Sequence, residues 1–497
     1  MGQFSATPTA APVAKSKLSS LVDRARADLE REDPMAALQA FQEVRVHDPD
    51  CLDGLLGMAE TYLFLGKPKS ARSYVELARR KAPRDQRAMA LHVRILIRDG
   101  KFDSALRMSK RGMRQFDIPG VELLSAHASA LFRVQRTADA AGVYQRVLKL
   151  DPFRPEAHLR LGSGLLPPRV VPYVHSITLA IRARTSGNLI LAEQNLAEAL
   201  QQSPAHPIAH RLLGEVLYEQ RYWKTMVAHS EAYKKFASAM PVPCVEDLPV
   251  TNFLPGFKTL SPERKKVAAR ALCLFGSLLP KLVAIRGRHD FLRADERTTD
   301  AVARANLRGK RTFDGRVWDD VRGIGGLQAA TGIESLDEAA QFGFDTLTHE
   351  IAHQAHLYAF KPVFRAKIRA LYKAARRSGR CLDFYAATND AEYFGQGVEA
   401  YVALAKRPGC EKTHGHTRFE LKRQDPALYD FIASIIEFDP LRDSVVRGQL
   451  LTLAVELALL RGCPEDAVTA AEMLDQGSDR ASLLAMAQKA RRDALNY

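Results

Sequence analysis

The feature that most constrains the fold of this 497-residue chain is a repeat in its amino-terminal half. Pro49 and Pro83 stand 34 residues apart, Pro119 and Pro152 follow after 36 and 33 residues, and Pro204 lies 52 residues further on. A period of this length is typical of helix pairs that stack on their neighbours, because a single pair cannot bury its apolar face alone. The pattern predicts a mostly α-helical chain that begins with a solenoid of about six helix pairs over residues 17–240.

Small and aromatic residues recur in step with these prolines. They are Ala37, Phe41, Ala59, Tyr62, Ala71, Ala78, Ala128, Ala140, Leu161-Gly162 and Leu213-Gly214. In this respect the array resembles tetratricopeptide repeats, in which such residues let paired helices approach closely. The resemblance implies a groove that binds a protein or peptide partner, and a scaffold or dimerisation arm is an equal alternative. An irregular break is expected at 166–172, where three prolines occur.

Composition divides the rest of the chain. Five prolines between residues 241 and 262 prevent a continuous helix or central strand, so this segment is predicted to be a linker. Residues 263–440 are predicted to form an α+β domain, in which short segments from His289 to Ile333 make a small sheet. Residues 441–497 are expected to form a helical hairpin or cap, and residues 1–16 a disordered tail.

Within the α+β region, the sequence His349-Glu350-Ile351-Ala352-His353 has the spacing of a zinc site. On a helix the two histidines lie on one face and can hold one zinc ion, and Glu350 is placed to act on a zinc-bound water. The run 336–347 contains no proline and the apolar pattern continues beyond the motif, so the motif is expected to lie on a helix. A surface helix that binds nothing could show the same five residues, so a third ligand is required.

A hydrolytic zinc site needs three protein ligands and one position open to water. Glu392, 39 residues after the motif, is the leading candidate, since Asn389 or Asp390 can cap a helix that contains it. Glu399 and His356 are alternative ligands. Glu399 is more simply interpreted as a solvated or ion-paired helix residue, and His356 as a packed or exposed one.

The segment from Tyr385 to Phe394 resembles the zinc-ligand helix in the catalytic domain of anthrax toxin lethal factor and its relatives, which are gluzincin metallopeptidases. The resemblance covers residues 250–440 and depends on two short motifs. It implies that His349, His353 and Glu392 are zinc ligands and that Glu350 is the general base. It also implies that Tyr385, seven residues before the glutamate ligand, stabilises the developing oxyanion.

The chain departs from that family pattern in the turn after Glu392. Gln396 stands where the family has a second glutamate, and Gly395 stands where alanine is usual. An amide could accept a hydrogen bond from a ligand imidazole but would raise its basicity less than a carboxylate. We therefore expect weaker activity than membership of the family would imply.

A glycine-rich stretch over residues 314–333 precedes the motif. Its glycines predict tight turns between short strands. In zincin-like domains a strand edge at this position commonly pairs with extended substrate, and this stretch is where we expect that edge. A structural hairpin without ligand contact is the alternative.

The chain has a formal net charge of +15, and the segment from Lys361 to Arg380 contains eight basic residues and no acidic one. The segment could attract acidic peptides, or it could be a solvated helix face whose side-chain stems cover apolar surface. No nucleic-acid fold signature accompanies the charge, so a nucleic-acid partner is not predicted.

Six cysteines are scattered through the chain without C-x-x-C spacing, namely Cys51, Cys244, Cys273, Cys381, Cys410 and Cys463. This distribution argues against a disulfide framework or a thiolate zinc site and fits a reducing compartment. The first sixteen residues lack the apolar core of a secretory signal, and no run is long enough to span a bilayer. A cytoplasmic protein without a membrane partner is predicted.

These patterns together predict a zinc metallopeptidase that hydrolyses peptide bonds of a peptide or protein substrate, with Zn²⁺ as cofactor and with repeats that recruit substrate or a partner. A repeat adaptor with an inactive zincin-like domain is the alternative from another class. A zinc hydrolase that acts on a different bond is the third possibility.

Overall fold

The computed structural model describes residues 15–30, 34–65, 67–165, 175–312, 315–407 and 415–495. The expected break at 166–172, Cys410 and residues 1–14 of the predicted tail lie outside these ranges. The described residues are mostly helical and include three short strands. The chain divides into two compact units, Met1–Ala130 and Leu131–Tyr497.

The first unit consists of successive helices, each packed against the next. They are α1 (Lys15–Glu30), α2 (Pro34–His47), α3 (Leu52–Phe64), α4 (Pro68–Lys81), α5 (Gln86–Arg98), α6 (Phe102–Gln115) and α7 (Val121–Arg133), the last of which crosses the division between the units.

The predicted small residues are at the helix contacts of this unit. Ala37, Ala71 and Ala78 are 0% exposed, so a larger side chain at these positions would separate the helices. Gly57 of α3 lies so close to the ring of Phe41 that a Cβ atom would stand 2.1 Å from it. The close approach of paired helices expected from the sequence is therefore confirmed in this unit.

The second unit begins with further helices of the array. They are α8 (Thr137–Leu150), α9 (Pro155–Arg160), which continues into a π-helical turn (Leu161–Leu165), α10 (His175–Thr185), α11 (Leu189–Gln202) and α12 (Pro207–Ala239). The contact between α9 and α12 depends on two glycines. A Cβ on Gly162 would stand 2.3 Å from the backbone nitrogen of Arg211, and one on Gly214 would stand 2.7 Å from that of Leu159.

The remaining helices and strands build the region that contains the motif and the carboxyl-terminal end. They are α13 (Val250–Phe253), α14 (Pro262–Cys273), α15 (Leu279–Ala284), β1 (Arg288–Leu292), β2 (Gly323–Ile324), β3 (Gln328–Gly332), α16 (Glu334–Ala340), α17 (Thr346–Gln354), α18 (Pro362–Ser378), α19 (Asp390–Val402), α20 (Arg418–Gln424), α21 (Pro426–Ile435), α22 (Ser444–Leu460), α23 (Pro464–Glu472) and α24 (Ser478–Leu495).

The three strands form one sheet in the order β1-β3-β2. Strand β3 pairs in parallel with β1 and antiparallel with β2, where Gly323 is opposite Thr331 and Ile324 is opposite Ala330. Both β2 and β3 pack against α17, the helix of the H-E-x-x-H motif. The predicted small sheet next to the motif helix is therefore present, with β2 at its edge.

The motif lies on helix α17, as expected, and the helical segment that precedes it is separate. Helix α16 ends at Ala340 and α17 begins at Thr346, with Phe342 between them in the left-handed region at φ 62°. A non-glycine residue rarely adopts this conformation, and composition alone does not reveal it. The ring of Phe342 packs against Tyr233 and Phe236, with ring centroids 4.8 and 5.7 Å apart, and these contacts favour the turn.

The predicted linker 241–262 is folded against the domain core. It contains α13 and a 3-10 turn (Pro255–Thr259), and Val250, Phe253 and Leu254 are buried in the same apolar cluster as α17 and α19. The prolines break the chain into short turns, and the apolar residues between them supply buried area.

Within the described residues, no single helix has the length and apolar character to cross a bilayer. The pair Pro262–Cys273 and Gly276–Ala284, bent by 75°, meets that test jointly by length and composition.

We predict opposite effects of alanine at two glycines of the array. Gly162→Ala should lower the free energy of unfolding by about 1–3 kcal/mol, because the new methyl group meets backbone atoms that cannot rotate away. Gly142→Ala on α8, where a Cβ would have no atom within 4 Å, should raise it by about 0.5–1 kcal/mol. Thermal unfolding followed by circular dichroism measures both, and shifts of the same sign would contradict the assigned packing.

Candidate metal centre

Helix α17 is fixed at its amino-terminal end by a buried polar network. Asp345 caps the helix, and its carboxylate accepts hydrogen bonds from the backbone N–H and the hydroxyl of Thr348 at 3.0 and 2.7 Å. The backbone N–H of Asp345 donates to Glu399 of α19 at 3.0 Å. Glu399 also forms a buried ion pair with Lys406, whose ammonium donates to the carbonyl of Gly343 at 2.7 Å. The cap of α17 is thus bonded directly to α19.

The other end of α17 is attached to the sheet through Gln354. Its amide group donates to the carbonyls of Arg288 and Leu327 at 3.1 and 3.3 Å, and its Oε1 lies 3.0 Å from Nδ1 of His289. The second nitrogen of His289 lies 2.9 Å from the hydroxyl of Thr331. Burial lowers the pKa of His289 to about 4, so this imidazole is neutral at pH 7.

Helix α19 begins where the sequence predicts it. The side chain of Asn389 accepts hydrogen bonds from the N–H groups of Ala391 and Glu392 at 3.0 and 2.9 Å. This cap places Glu392 in the first turn, facing α17. One turn later Gly395 lies against both histidines, since a Cβ there would stand 2.9 Å from Cε1 of His349 and 3.0 Å from Cε1 of His353.

The structure brings His349, His353 and Glu392 together. The two Nε2 atoms are 2.9 Å apart, and Oε2 of Glu392 lies 3.1 Å from Nε2 of His349 and 3.4 Å from Nε2 of His353. Among the described residues, these three form the one group of His, Cys, Asp or Glu side chains whose donor atoms converge within 4.8 Å. Burial opposes ionisation of Glu392, but hydrogen bonding to the histidines outweighs it and holds the pKa well below its usual value.

This triangle of atoms fits a zinc ion. Ligand atoms about 2.0–2.1 Å from a tetrahedral ion lie about 3.3 Å from one another, close to the three separations observed. Nitrogen lone pairs and a carboxylate at these separations repel unless an Nε2–H proton or a cation lies between them, and a cation attracts all three atoms at once. The assignment of the three residues as ligands remains a prediction.

Glu350 is buried beside these residues and beneath the glycine-rich stretch. A Cβ on Gly323 of β2 would stand 2.7 Å from one carboxylate oxygen of Glu350, and a Cβ on Gly325 would stand 3.2 Å from the other. Burial raises the pKa of Glu350 to about 7. His353 acts to lower this pKa, and the nearby carboxylate of Glu392 acts to raise it. A carboxyl group of this kind can take up and release a proton near neutral pH.

The two alternative ligands lie elsewhere. Glu399 forms an ion pair with Lys406 and accepts a hydrogen bond from Asp345, the cap of α17. It is therefore ion-paired, as the simpler interpretation predicted, but it is buried and not solvated. His356 is buried in a π-helical turn (Ala355–Ala359), with its ring 5.4 Å from that of Phe394, and burial lowers its pKa to about 4.

The stabilisation of the oxyanion by the hydroxyl of Tyr385 stays a prediction. Tyr385 is half-buried in the turn before α19, where its backbone N–H donates to Asp383 at 2.8 Å and its carbonyl accepts from Thr388.

Gln396 does not accept a hydrogen bond from Nδ1 of either ligand histidine. Gln396 is buried in α19, but Nδ1 of His349 and Nδ1 of His353 have no hydrogen-bond partner within the described part of the chain. A ligand imidazole usually donates this N–H to an acceptor, which raises its basicity.

Sequence reasoning missed the residues that support the site. Lys406 lies beyond the end of α19, and its burial beside Glu399 follows from packing that no local pattern shows. The glycines of the stretch 314–333 were predicted as turn formers, whereas Gly323 and Gly325 also let the backbone approach Glu350. For His289, alternation within a strand was the available signal.

Comparison with known proteins identifies the repeats. Models of the tetratricopeptide repeat match residues 28–95 and, separately, residues 125–165 and 177–223. The chain therefore contains tetratricopeptide repeats, as predicted, and such arrays present surfaces for protein partners. These matches end before residue 250, so the resemblance of 250–440 to lethal factor stays a prediction.

Two solved structures align with the chain at low similarity. One is pilF of Pseudomonas aeruginosa, with 14% identity over 39% of this chain and 96% of that chain and a TM-score of 0.27. The other is PilW, a widely conserved type IV pilus biogenesis factor, with 14% identity over 43% of this chain and 94% of that chain and a TM-score of 0.27. A search of curated proteins finds no match.

Alanine is usual at this position in the family that the segment resembles, but in this chain a Cβ on Gly395 would stand 2.9 and 3.0 Å from the two imidazoles, so we predict that Gly395→Ala weakens zinc binding more than it weakens folding. An uncoordinated imidazole can rotate away from a new methyl group, whereas two imidazoles held by one ion cannot, so we expect at least about a tenfold rise in the zinc Kd. Competition with a chromophoric chelator measures that Kd. Gly448→Ala, where a Cβ meets no atom within 4 Å, is the matched control and should leave it unchanged. Equal zinc affinity in both variants would contradict the close approach of α19.

We also predict that Glu399→Gln destabilises the domain by about 3–5 kcal/mol, because it leaves the ammonium of Lys406 buried without a counter-charge. A second change, Lys406→Met, should recover most of this loss, since the remaining pair is uncharged. Denaturant unfolding of the two variants tests the expectation. A double variant no more stable than Glu399→Gln alone would show that the ion pair is not the source of the loss.

Proposed function

We propose that this protein is a zinc-dependent hydrolase of peptide bonds whose tetratricopeptide repeats recruit substrate or a partner protein. One observation supports the proposal most strongly. Two imidazoles and one carboxylate converge within 3.4 Å of each other, next to a separate buried carboxyl group, Glu350. This combination of three ligands and a neighbouring base is what zinc-assisted hydrolysis requires.

Each residue then has a defined task. His349, His353 and Glu392 would hold the ion, which when bound polarises a substrate carbonyl and makes water more acidic. Glu350 would accept a proton from that water at its carboxylate and return it to the leaving amine. The phenol of Tyr385 would donate a hydrogen bond to the tetrahedral oxygen, worth on the order of 3 kcal/mol in comparable sites.

Strand β2 offers a place for the substrate backbone. It pairs with β3 on one side, and within the described residues no strand lies on its other side. Gly323 and Gly325 adjoin Glu350, so an extended peptide paired with the open edge would run beside the base. The glycine-rich stretch is thus the proposed substrate edge, and a purely structural hairpin remains the alternative.

The first unit contains a concavity suited to a partner. Charged side chains of α1, α3 and α5 line it, including Arg26, Asp53, Glu60, Arg87 and Arg94. Asp53 accepts from Arg26 and Arg87 at 2.6 Å each, so the surface presents paired charges of both signs. Leu56 and Leu91 also line it, so we propose that a peptide segment with both polar and apolar side chains binds here.

An adaptor with an inactive zincin-like domain is the second candidate. It is favoured by the absence of an acceptor for either ligand imidazole at Nδ1 among the described residues, because metal sites usually provide one.

Two variants separate these functions. Glu350→Gln should keep zinc and reduce hydrolysis of a peptide library by at least about a hundredfold, whereas Glu392→Ala should lose zinc. Mass spectrometry of the library and elemental analysis of the purified protein provide the two measurements. Zinc retained without cleavage by the wild type would favour the adaptor, and zinc retained by Glu392→Ala would reassign the third ligand.

A further inference from the structure

Helix α18 carries many exposed basic side chains. The helix is anchored by Ile368, Tyr372 and Ala375, which are buried in the domain core. Eight basic residues and no acidic one occupy residues 361–380. Charge of one sign gathered on one surface attracts ligands of the opposite sign.

Five of these basic residues lie along one side of the helix. They are Arg365, Arg369, Lys373, Arg376 and Arg377, all exposed, and together they are called the basic stripe. Spacings of four, four, three and one residues place them within an arc of about 120°. Arg369 pairs with Asp390 at 3.4 Å, and among the described residues no carboxylate lies within 4 Å of the other four.

The basic stripe begins beside the candidate metal centre. The guanidinium of Arg365 donates to the carbonyl of Leu357, four residues after His353, at 3.4 Å. Asp390, the partner of Arg369, precedes Glu392 by two residues. A polypeptide bound at the centre could therefore extend along the stripe.

We propose that the basic stripe binds the acidic part of a polypeptide substrate, so that the enzyme selects substrates with Asp or Glu residues near the scissile bond. This inference rests on the proposed function. Arginine is suited to the task because its planar guanidinium binds a carboxylate through two parallel hydrogen bonds.

The surroundings of the stripe favour a polypeptide over a nucleic acid or a lipid surface. Phe364, in the first turn of the helix, is 36% exposed and packs against Phe360 and Phe431 with ring centroids 5.8 and 6.2 Å apart, but from Arg365 to Arg377 the helix exposes no aromatic ring for base stacking. The exposed large apolar residues of this helix, Val363 and Phe364, lie before the stripe, and between its basic residues the exposed apolar positions are Ala366 and Ala370, which are too small to insert into a bilayer.

The experiment measures binding without turnover, in the full chain loaded with zinc and bearing Glu350→Gln. Fluorescent peptides of equal length, one acidic, one neutral and one basic, are titrated and followed by anisotropy. Lys373→Glu with Arg377→Glu alters the stripe at two exposed positions. Arg491→Glu with Arg492→Glu on α24 changes the net charge equally at another exposed surface and is the control.

We expect the acidic peptide to bind best, the stripe variant to weaken that binding about tenfold or more, and the control to change it less than about twofold. Equal affinity for acidic and basic peptides, or equal effects of the two double variants, would overturn the inference. Loss of oligonucleotide or anionic-vesicle binding in the stripe variant, with acidic-peptide binding unchanged, would assign the surface to another class of ligand and also overturn it.

A cleavage assay without Glu350→Gln separates this inference from the proposed function. Cleavage that requires Glu350 but does not depend on peptide acidity or on the basic stripe would overturn this inference and leave the proposed function standing. Absence of any Glu350-dependent cleavage, even with stripe-dependent binding, overturns the proposed function together with the substrate assignment.

Discussion

The buried ion pair between Glu399 and Lys406 fixes the relative position of the two helices on which the candidate centre depends. Glu399 belongs to α19, the helix of Glu392, and it also accepts a hydrogen bond from Asp345, the cap of the helix that contains His349 and His353. Burying two charges is unfavourable unless their remaining hydrogen-bonding capacity is used. Here the ammonium also donates to the carbonyl of Gly343, and the carboxylate also accepts a backbone N–H, so desolvation is offset by several contacts.

A second constraint is the close approach of backbone to buried ionisable groups. Gly395 adjoins both imidazoles, and Gly323 adjoins the carboxyl group of Glu350, so no side chain separates the polar atoms from the main chain of α19 or β2. The apolar cluster around α17 and α19 makes isolated charges expensive in this region. A divalent cation shared by two imidazoles and one carboxylate reduces that cost, and it would lower the pKa of Glu350 from the value that burial alone produces.

Features with a local cause could be predicted from the sequence. The 34-residue period predicts the repeats, the four-residue spacing places His349 and His353 on one face, and Asn389 caps the helix that contains Glu392. Features that depend on tertiary contacts could not. The turn at Phe342 needs a left-handed backbone that ring packing stabilises, and the role of Lys406 follows from burial after the helix has ended. The apolar residues between the prolines of 241–262 enter the core, where composition indicated only a linker.

The central claim is that His349, His353 and Glu392 bind one zinc ion and leave a position open to water. X-ray absorption at the zinc edge, on the full chain with one equivalent of zinc, tests it most directly. The account predicts a first shell of nitrogen and oxygen atoms at about 2.0–2.1 Å with the multiple-scattering pattern of two imidazoles, which falls to one imidazole in His353→Ala. Sulfur scatterers at about 2.3 Å, or a spectrum that His353→Ala leaves unchanged, would contradict it.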